Sequence, residues 1–249
     1  MRGHMTRVLY AATAAAVALS ALSLTGAAAP AAATTGSSGG TISTDWGAGY
    51  QAQGRWLRFV SATVTVTPRR IPNPHSDSNG DAQLSLESSR TSSYIFVVPG
   101  GGANSVSWEQ NYGGGMGSFS LAPRVGDQLN LSIYYDRQGH TQFTATDITQ
   151  GVTRTAQVTV GNLVYTKAFV GGLAYGLELQ SPPPKDIELW HFTASHVTTY
   201  TGQHGTLLGP WQTSKVVDTT NGNSTGSDVL SPSALWHQGQ SFRLFWRHG

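Results

Sequence analysis

Between Arg55 and Pro68 the chain reads RWLRFVSATVTVTP, with Trp56, Phe59, Ala62, Val64 and Val66 set among Ser and Thr at a largely period-two spacing. A period of two sends alternate side chains to opposite faces of a strand, so one face is buried while the other stays polar. The alternation recurs in DQLNLSIYYD, which carries Leu129, Leu131, Ile133 and Tyr135. It is also present in AQLSLES, YIFVVPG, NSVSWEQNY, HTQFTATD, TAQVTVG, IELWHFTASHVTTYTG and SFRLFWRHG. Turn-forming segments such as DSNGD, PGGGAN, YGGGMG, DRQGH, DITQG and TTNGNSTGSD separate these runs. No stretch holds a helical period for three turns, and Thr, Val, Ser and Gly dominate over Lys and Glu. About ten or more strands in one domain predict an all-β fold of two stacked antiparallel sheets, a sandwich or jelly roll.

Residues 1–33 stand outside the pattern. Arg2 and Arg7 precede an uncharged stretch rich in Ala, Ser and Thr, and A-x-A cleavage choices follow near residues 31–33. This is the layout of a secretory signal peptide. A membrane helix needs about 20 strongly apolar residues, which this stretch does not supply. The expectation is an exported, secreted protein with no stable membrane insertion after cleavage. Residues 34–40, TTGSSGG, read as a flexible lead-in, and residues 41–249 as a single domain. Loss of Arg2 and Arg7 lowers the 15 Lys plus Arg to 13, equal to the 13 Asp plus Glu. With no basic run interleaved with aromatics, nucleic acid is not an expected partner. Cysteine is absent. The fold therefore relies on its core, and thiol nucleophiles and thiolate metal sites are excluded.

The remaining motifs of chemistry are weak. DSNGD (residues 77–81) opens like a calcium loop, but Ala82 and Ser88 stand where an EF-hand needs Gly and a bidentate Glu, so it reads as a hairpin turn. His191 and His196 are five apart, and on a regular strand they face opposite sides. No metal or cofactor is expected. GGMGSFS lacks the G-x-S-x-G spacing and the following helix of a nucleophile elbow. Glu87, Glu109, Glu178 and Glu188 lie in strand-like runs without forming a carboxylate pair on one strand face.

Several segments occur in a telling order: DWGAGY (residues 45–50), RFVSATVTVTP, SWEQNYG (residues 107–113), RVGDQLNLSIYYD, ATDITQG and VLSPSALWHQGQSFRLFW. Together, over residues 41–246, they resemble the glutamic peptidases called eqolisins, especially their bacterial members. The resemblance implies a concanavalin A-like sandwich of two long, curved sheets with a concave groove. Trp46, Tyr50, Trp108, Tyr112 and Glu178 are then the expected groove residues. In that family a Glu acts as general base on a water, while a Gln amide binds the water and stabilises the oxyanion.

The matching positions in this chain lack both groups. The segment resembling the Gln strand is YIFVVPG (residues 94–100), without a Gln, and the Glu position falls on Gly176 or on Phe169 according to the alignment used. The resemblance thus implies a catalytically degenerate member that binds an extended peptide or a glycan, such as a polysaccharide. The alternative is an acid endopeptidase with a relocated site. Gly176, Glu178 and Gln180 share one face of a strand in LAYGLELQSPPP (residues 173–184), so Glu178 could act with Gln180 or with Gln110. A plain half-buried strand with Leu177 and Leu179 inward has the same pattern. Assembly with other chains is a third possibility.

Overall fold

The computed structural model describes residues 38–44, 46–68, 81–99, 104–111, 115–173, 186–219 and 230–247. Fifteen strands occur among them in the order β1 (Ser38–Thr44), β2 (Gly47–Thr65), β3 (Ala82–Glu87), β4 (Ser92–Val98), β5 (Ser105–Gln110), β6 (Gly115–Phe119), β7 (Gln128–Tyr135) and β8 (His140–Asp147). They continue as β9 (Val152–Thr159), β10 (Tyr165–Leu173), β11 (Ile187–Thr199), β12 (His204–Gly205), β13 (Gln212–Asp218), β14 (Leu230–Pro232) and β15 (Phe242–Trp246).

The 19-residue β2 joins two layers. Its first half, up to Gln53, pairs with β10 on one side and β13 on the other. Its second half, from Leu57, pairs with β7 and β11. Between the halves the register against β10 shifts, and Trp56 adopts a left-handed φ of 62°. A bulge of this kind bends a strand and strengthens its twist. One layer therefore runs β13-β2-β10-β3-β4-β5-β6, and the other β9-β8-β7-β2-β11-β15-β14.

The alternation in the sequence sets the core between the layers. Leu84, Leu86, Ile95 and Val97 from the first layer, and Leu129, Leu131, Ile133 and Phe143 from the second, are fully buried. Trp108 of β5 stacks on Phe143 of β8 at 5.2 Å, and Tyr50 of β2 meets Phe242 of β15 at 5.1 Å. The all-β sandwich expected from the patterning is the observed architecture. The opposite face of the second layer stays polar, with Thr63 and Asn130 hydrogen-bonded across β2 and β7 and Thr146 paired with Thr153 across β8 and β9.

Three local expectations change. β1 begins at Ser38, inside the segment read as a lead-in, because it pairs in parallel with β13. β6 occupies sequence read as a glycine turn, since its backbone completes the ladder with β5. The register of β11 shifts between Thr193 and His196, where Ala194 has a φ of 49°. The bulge changes the parity, so His191 opposite Thr65 and His196 opposite Ser61 share one face. They remain apart: His191 lies against Trp236, and His196 against Phe59 and His204.

Candidate functional site

Strands β3, β4, β5 and β10 bury one set of alternate side chains and turn the other away from the core. In β3 the inward set is Ala82, Leu84 and Leu86, which leaves Gln83, Ser85 and Glu87 on the second face. The ladder aligns them with their neighbours: Gln83 pairs with Phe96, Ser85 with Tyr94, and Tyr94 with Glu109. On the other side, Phe169 and Lys167 of β10 stand opposite Ser85 and Glu87.

This face forms a cleft of about 490 Å³, whose described lining includes Trp46, Asp81, Gln83, Glu87, Tyr94, Phe96, Glu109, Asn111 and Leu173. Trp46 of this lining meets Phe169 edge to face at 5.2 Å. Phe169 is fully buried beside the cleft, against Trp46. Ser85 Oγ donates to Glu87 Oε1 at 2.8 Å and so orients that carboxylate.

Asp81 is the most perturbed acid of the cleft. Burial pushes its carboxyl up to about 6, because desolvation disfavours the charged form. Gln83 follows two residues later on the same face, about 6.5 Å along the strand. No hydrogen bond joins the two side chains among the described residues. An acid poised near pH 6 beside a primary amide can exchange protons and hold a polar substrate group. The sequence reading did not single out Asp81 or Gln83. The signal was the polar alternation of DAQLSLE, whose chemical meaning depends on which face the neighbouring strands leave open.

The structure redistributes the expected groove residues. Trp46 lines the cleft. Tyr50 is 7 % exposed and turns to the core side, where its hydroxyl donates to Ser233 O at 2.6 Å. Trp108 also faces the core, because Gly117 on β6 leaves space for its ring: a Cβ there would lie 2.9 Å from Trp108 Cζ2. Gln110 sits on the same side, with Ser93 Oγ donating to its Oε1 at 2.5 Å and its Nε2 donating to Thr91 Oγ1 at 2.8 Å. Tyr50, Trp108 and Gln110 therefore point away from this cleft, since strand parity directs them inward. Tyr112, Gly176, Glu178 and Gln180 lie outside the described residues, as do residues 77–80 of DSNGD. Among the described residues no group of three or more His, Cys, Asp or Glu side chains is placed to hold a metal ion.

Comparison with solved structures places the architecture among known folds. The chain is similar to scytalido-glutamic peptidase bound to a transition state analog inhibitor, with a TM-score of 0.60 and 17 % identity over 82 % of this chain and 98 % of that one. It is also similar to SCP-B, a member of the eqolisin family of peptidases in complex with the tripeptide Ala-Ile-His, with a TM-score of 0.53 and 16 % identity over 82 % of this chain and 98 % of that one. No protein-family model and no curated protein sequence matches the chain. Likeness at this identity establishes a shared β-sandwich fold.

Proposed function

We propose that this chain is an exported, catalytically degenerate homologue of the glutamic peptidases that binds an extended peptide in the cleft between Trp46 and Glu109. The carrying observation is the aromatic character of the cleft. Tyr94 and Phe96 come from the segment that resembles the family's Gln strand, and Phe169 occupies one of the two positions matched to its Glu. A phenyl ring can neither activate water nor stabilise an oxyanion, whereas a cleft with aromatic walls and polar groups between them suits an extended chain. Asp81, Glu87 and Glu109 make the ionisable lining acidic, which favours a peptide with a basic side chain. The bound tripeptide of the structurally similar SCP-B supports the choice of a peptide.

Calorimetric titration of the mature protein with Lys-containing extended peptides and with soluble polysaccharides tests this reading. Peptide binding that weakens about tenfold in Tyr94→Ala, with the melting temperature held, is the expected result. Binding of a polysaccharide alone moves the ligand class to glycans, and failure of every extended polymer to bind removes the proposal.

Asp81 favours a second reading. Its raised carboxyl and the Gln83 amide could serve as a relocated base and amide of an acid endopeptidase. Cleavage of denatured protein that rises with pH through about 6 and disappears in Asp81→Asn would install that reading in place of the first.

A further inference from the structure

A second cavity, of about 610 Å³, shares no described lining residue with the cleft. Its walls include Trp56, Tyr135, Leu163, Val164 and Tyr200, with Arg137 at the side. Trp56 sits at the bend of β2 with a φ of 62°, and the residue is 52 % exposed. A left-handed backbone is unfavourable for a bulky residue and free for glycine. The turn itself needs only the backbone here, since the Trp56 carbonyl accepts the Tyr200 N–H at 2.8 Å. The fold thus holds a strained, half-exposed indole where glycine would serve the chain better. Strained backbone of this kind clusters at active sites and ligand clamps.

The rest of the pocket is prepared for a ring. Tyr135 and Tyr200 pack edge to face at 5.9 Å, and the Trp56 ring meets Tyr200 at 6.1 Å. Both phenol hydroxyls are already used. Tyr135 OH donates to Gly161 O at 2.7 Å and accepts Leu163 N–H at 2.8 Å, while Tyr200 OH donates to Asp136 O at 3.0 Å. The buried tyrosines therefore serve as fixed apolar wall of the pocket, and the exposed Trp56 ring offers the surface to a ligand. Arg137 stacks over the Tyr200 ring at 5.3 Å, and its Nη2 donates to Tyr200 O at 3.2 Å. Among the described residues no carboxylate lies within ion-pair distance of it. A planar guanidinium held beside an apolar pocket and left without an acid is suited to a carboxylate.

We infer that this pocket binds a flat apolar ring that bears a carboxylate, with the ring between Trp56 and Val164 and the acid on Arg137. The ligand is either a free arylalkanoate or the C-terminal aromatic residue of a polypeptide, since both present the same chemistry.

Calorimetry of the full chain with 3-phenylpropionate, its amide, and Ala-Ala-Phe with a free or amidated C-terminus provides the test. The acid binds, and its amide binds about tenfold more weakly or not at all. Trp56→Gly suits the backbone and removes the ring, and Arg137→Gln removes the charge. Each weakens binding about tenfold while the melting temperature stays within a few degrees, and Trp56→Phe retains binding. Tighter binding of the free tripeptide identifies a polypeptide end as the ligand, and tighter binding of phenylpropionate identifies a free small molecule. Equal affinity for acid and amide, absence of binding to the folded wild type, or binding indifferent to both substitutions overturns the inference.

Discussion

Trp46 and Phe169 meet edge to face, with ring centroids 5.2 Å apart and planes inclined by 65°. The contact depends on Gly171. A Cβ built on Gly171 would lie 2.5 Å from Phe169 Cζ, 2.3 Å from Ala48 O and 2.8 Å from Gly49 Cα. The ring of Phe169 therefore lies over Gly171, and Ala48 and Gly49 of the paired strand β2 approach closely alongside. Backbone cannot yield as a flexible side chain does, so Gly171→Ala falls at the upper end of overpacking effects. A loss of about 3 kcal/mol is expected, read as a lower urea midpoint with little change in slope. A midpoint equal to wild type would show that the β2–β10 ladder relaxes freely.

Asp81 sets a pH dependence. Its folded pKa is raised to about 6 from the ordinary 3.8, so the folded state holds the proton more tightly than the unfolded chain does. The associated stability is fully present below about pH 4 and is lost as pH rises through about 6. Each pKa unit corresponds to about 1.4 kcal/mol, and partial exposure keeps the total loss below about 3 kcal/mol. Asp81→Asn removes the ionisation, so it is expected to be more stable than wild type at pH 7 and to lose that advantage at pH 4. Melting temperatures of both proteins across this range decide the matter, and parallel curves refute it.

The fold was legible because its information is local. Val60, Ala62 and Val64 alternate with polar residues in sequence and are fully buried in β2. β13 escaped the same reading because Thr213 and Ser214 are buried polar residues and Val216 and Val217 are buried in succession. Such a strand, enclosed on both sides, has no alternation to read. The site was less legible because it depends on neighbours. Trp108 and Glu109 are adjacent in sequence, and only the ladder with β4 and the small Gly117 on β6 determine that the indole enters the core while the carboxylate enters the cleft. The bulge at Ala194 is likewise invisible to a rule of strict parity, and it reverses the relation of His191 to His196.

Gln110 is the centre of a directed chain of buried hydrogen bonds. Tyr165 OH donates to Ser93 Oγ at 2.6 Å, Ser93 Oγ to Gln110 Oε1 at 2.5 Å, and Gln110 Nε2 to Thr91 Oγ1 at 2.8 Å. Gln110→Leu leaves Ser93 without its acceptor and Thr91 without its donor, each in a buried setting. Unpaired buried groups cost about 1–3 kcal/mol each, so a loss of about 2–4 kcal/mol is expected, which lowers the melting temperature by roughly 2–4 °C per kcal/mol. Ligand binding in the cleft stays unchanged, because Gln110 lies on the opposite face of the sheet. A variant that kept its stability and lost binding would return Gln110 to the site.

His196 acts on stability in the direction opposite to Asp81. Burial lowers its pKa first, and the charge of His204, whose ring lies 5.9 Å away, lowers it further. The folded state therefore keeps His196 neutral, while the unfolded chain takes up a proton below about 6.5. Stability from this group is present at neutral pH and falls as pH drops from about 6.5 toward the depressed folded value, below which it is constant. His196→Gln has no such titration, so its melting temperature should decline less than wild type's on acidification. In the double variant Asp81→Asn/His196→Gln both slopes vanish together, and the two contributions add because the groups lie in different layers and share no partner. Residual acid dependence of wild-type size in that variant would assign the titration to other groups.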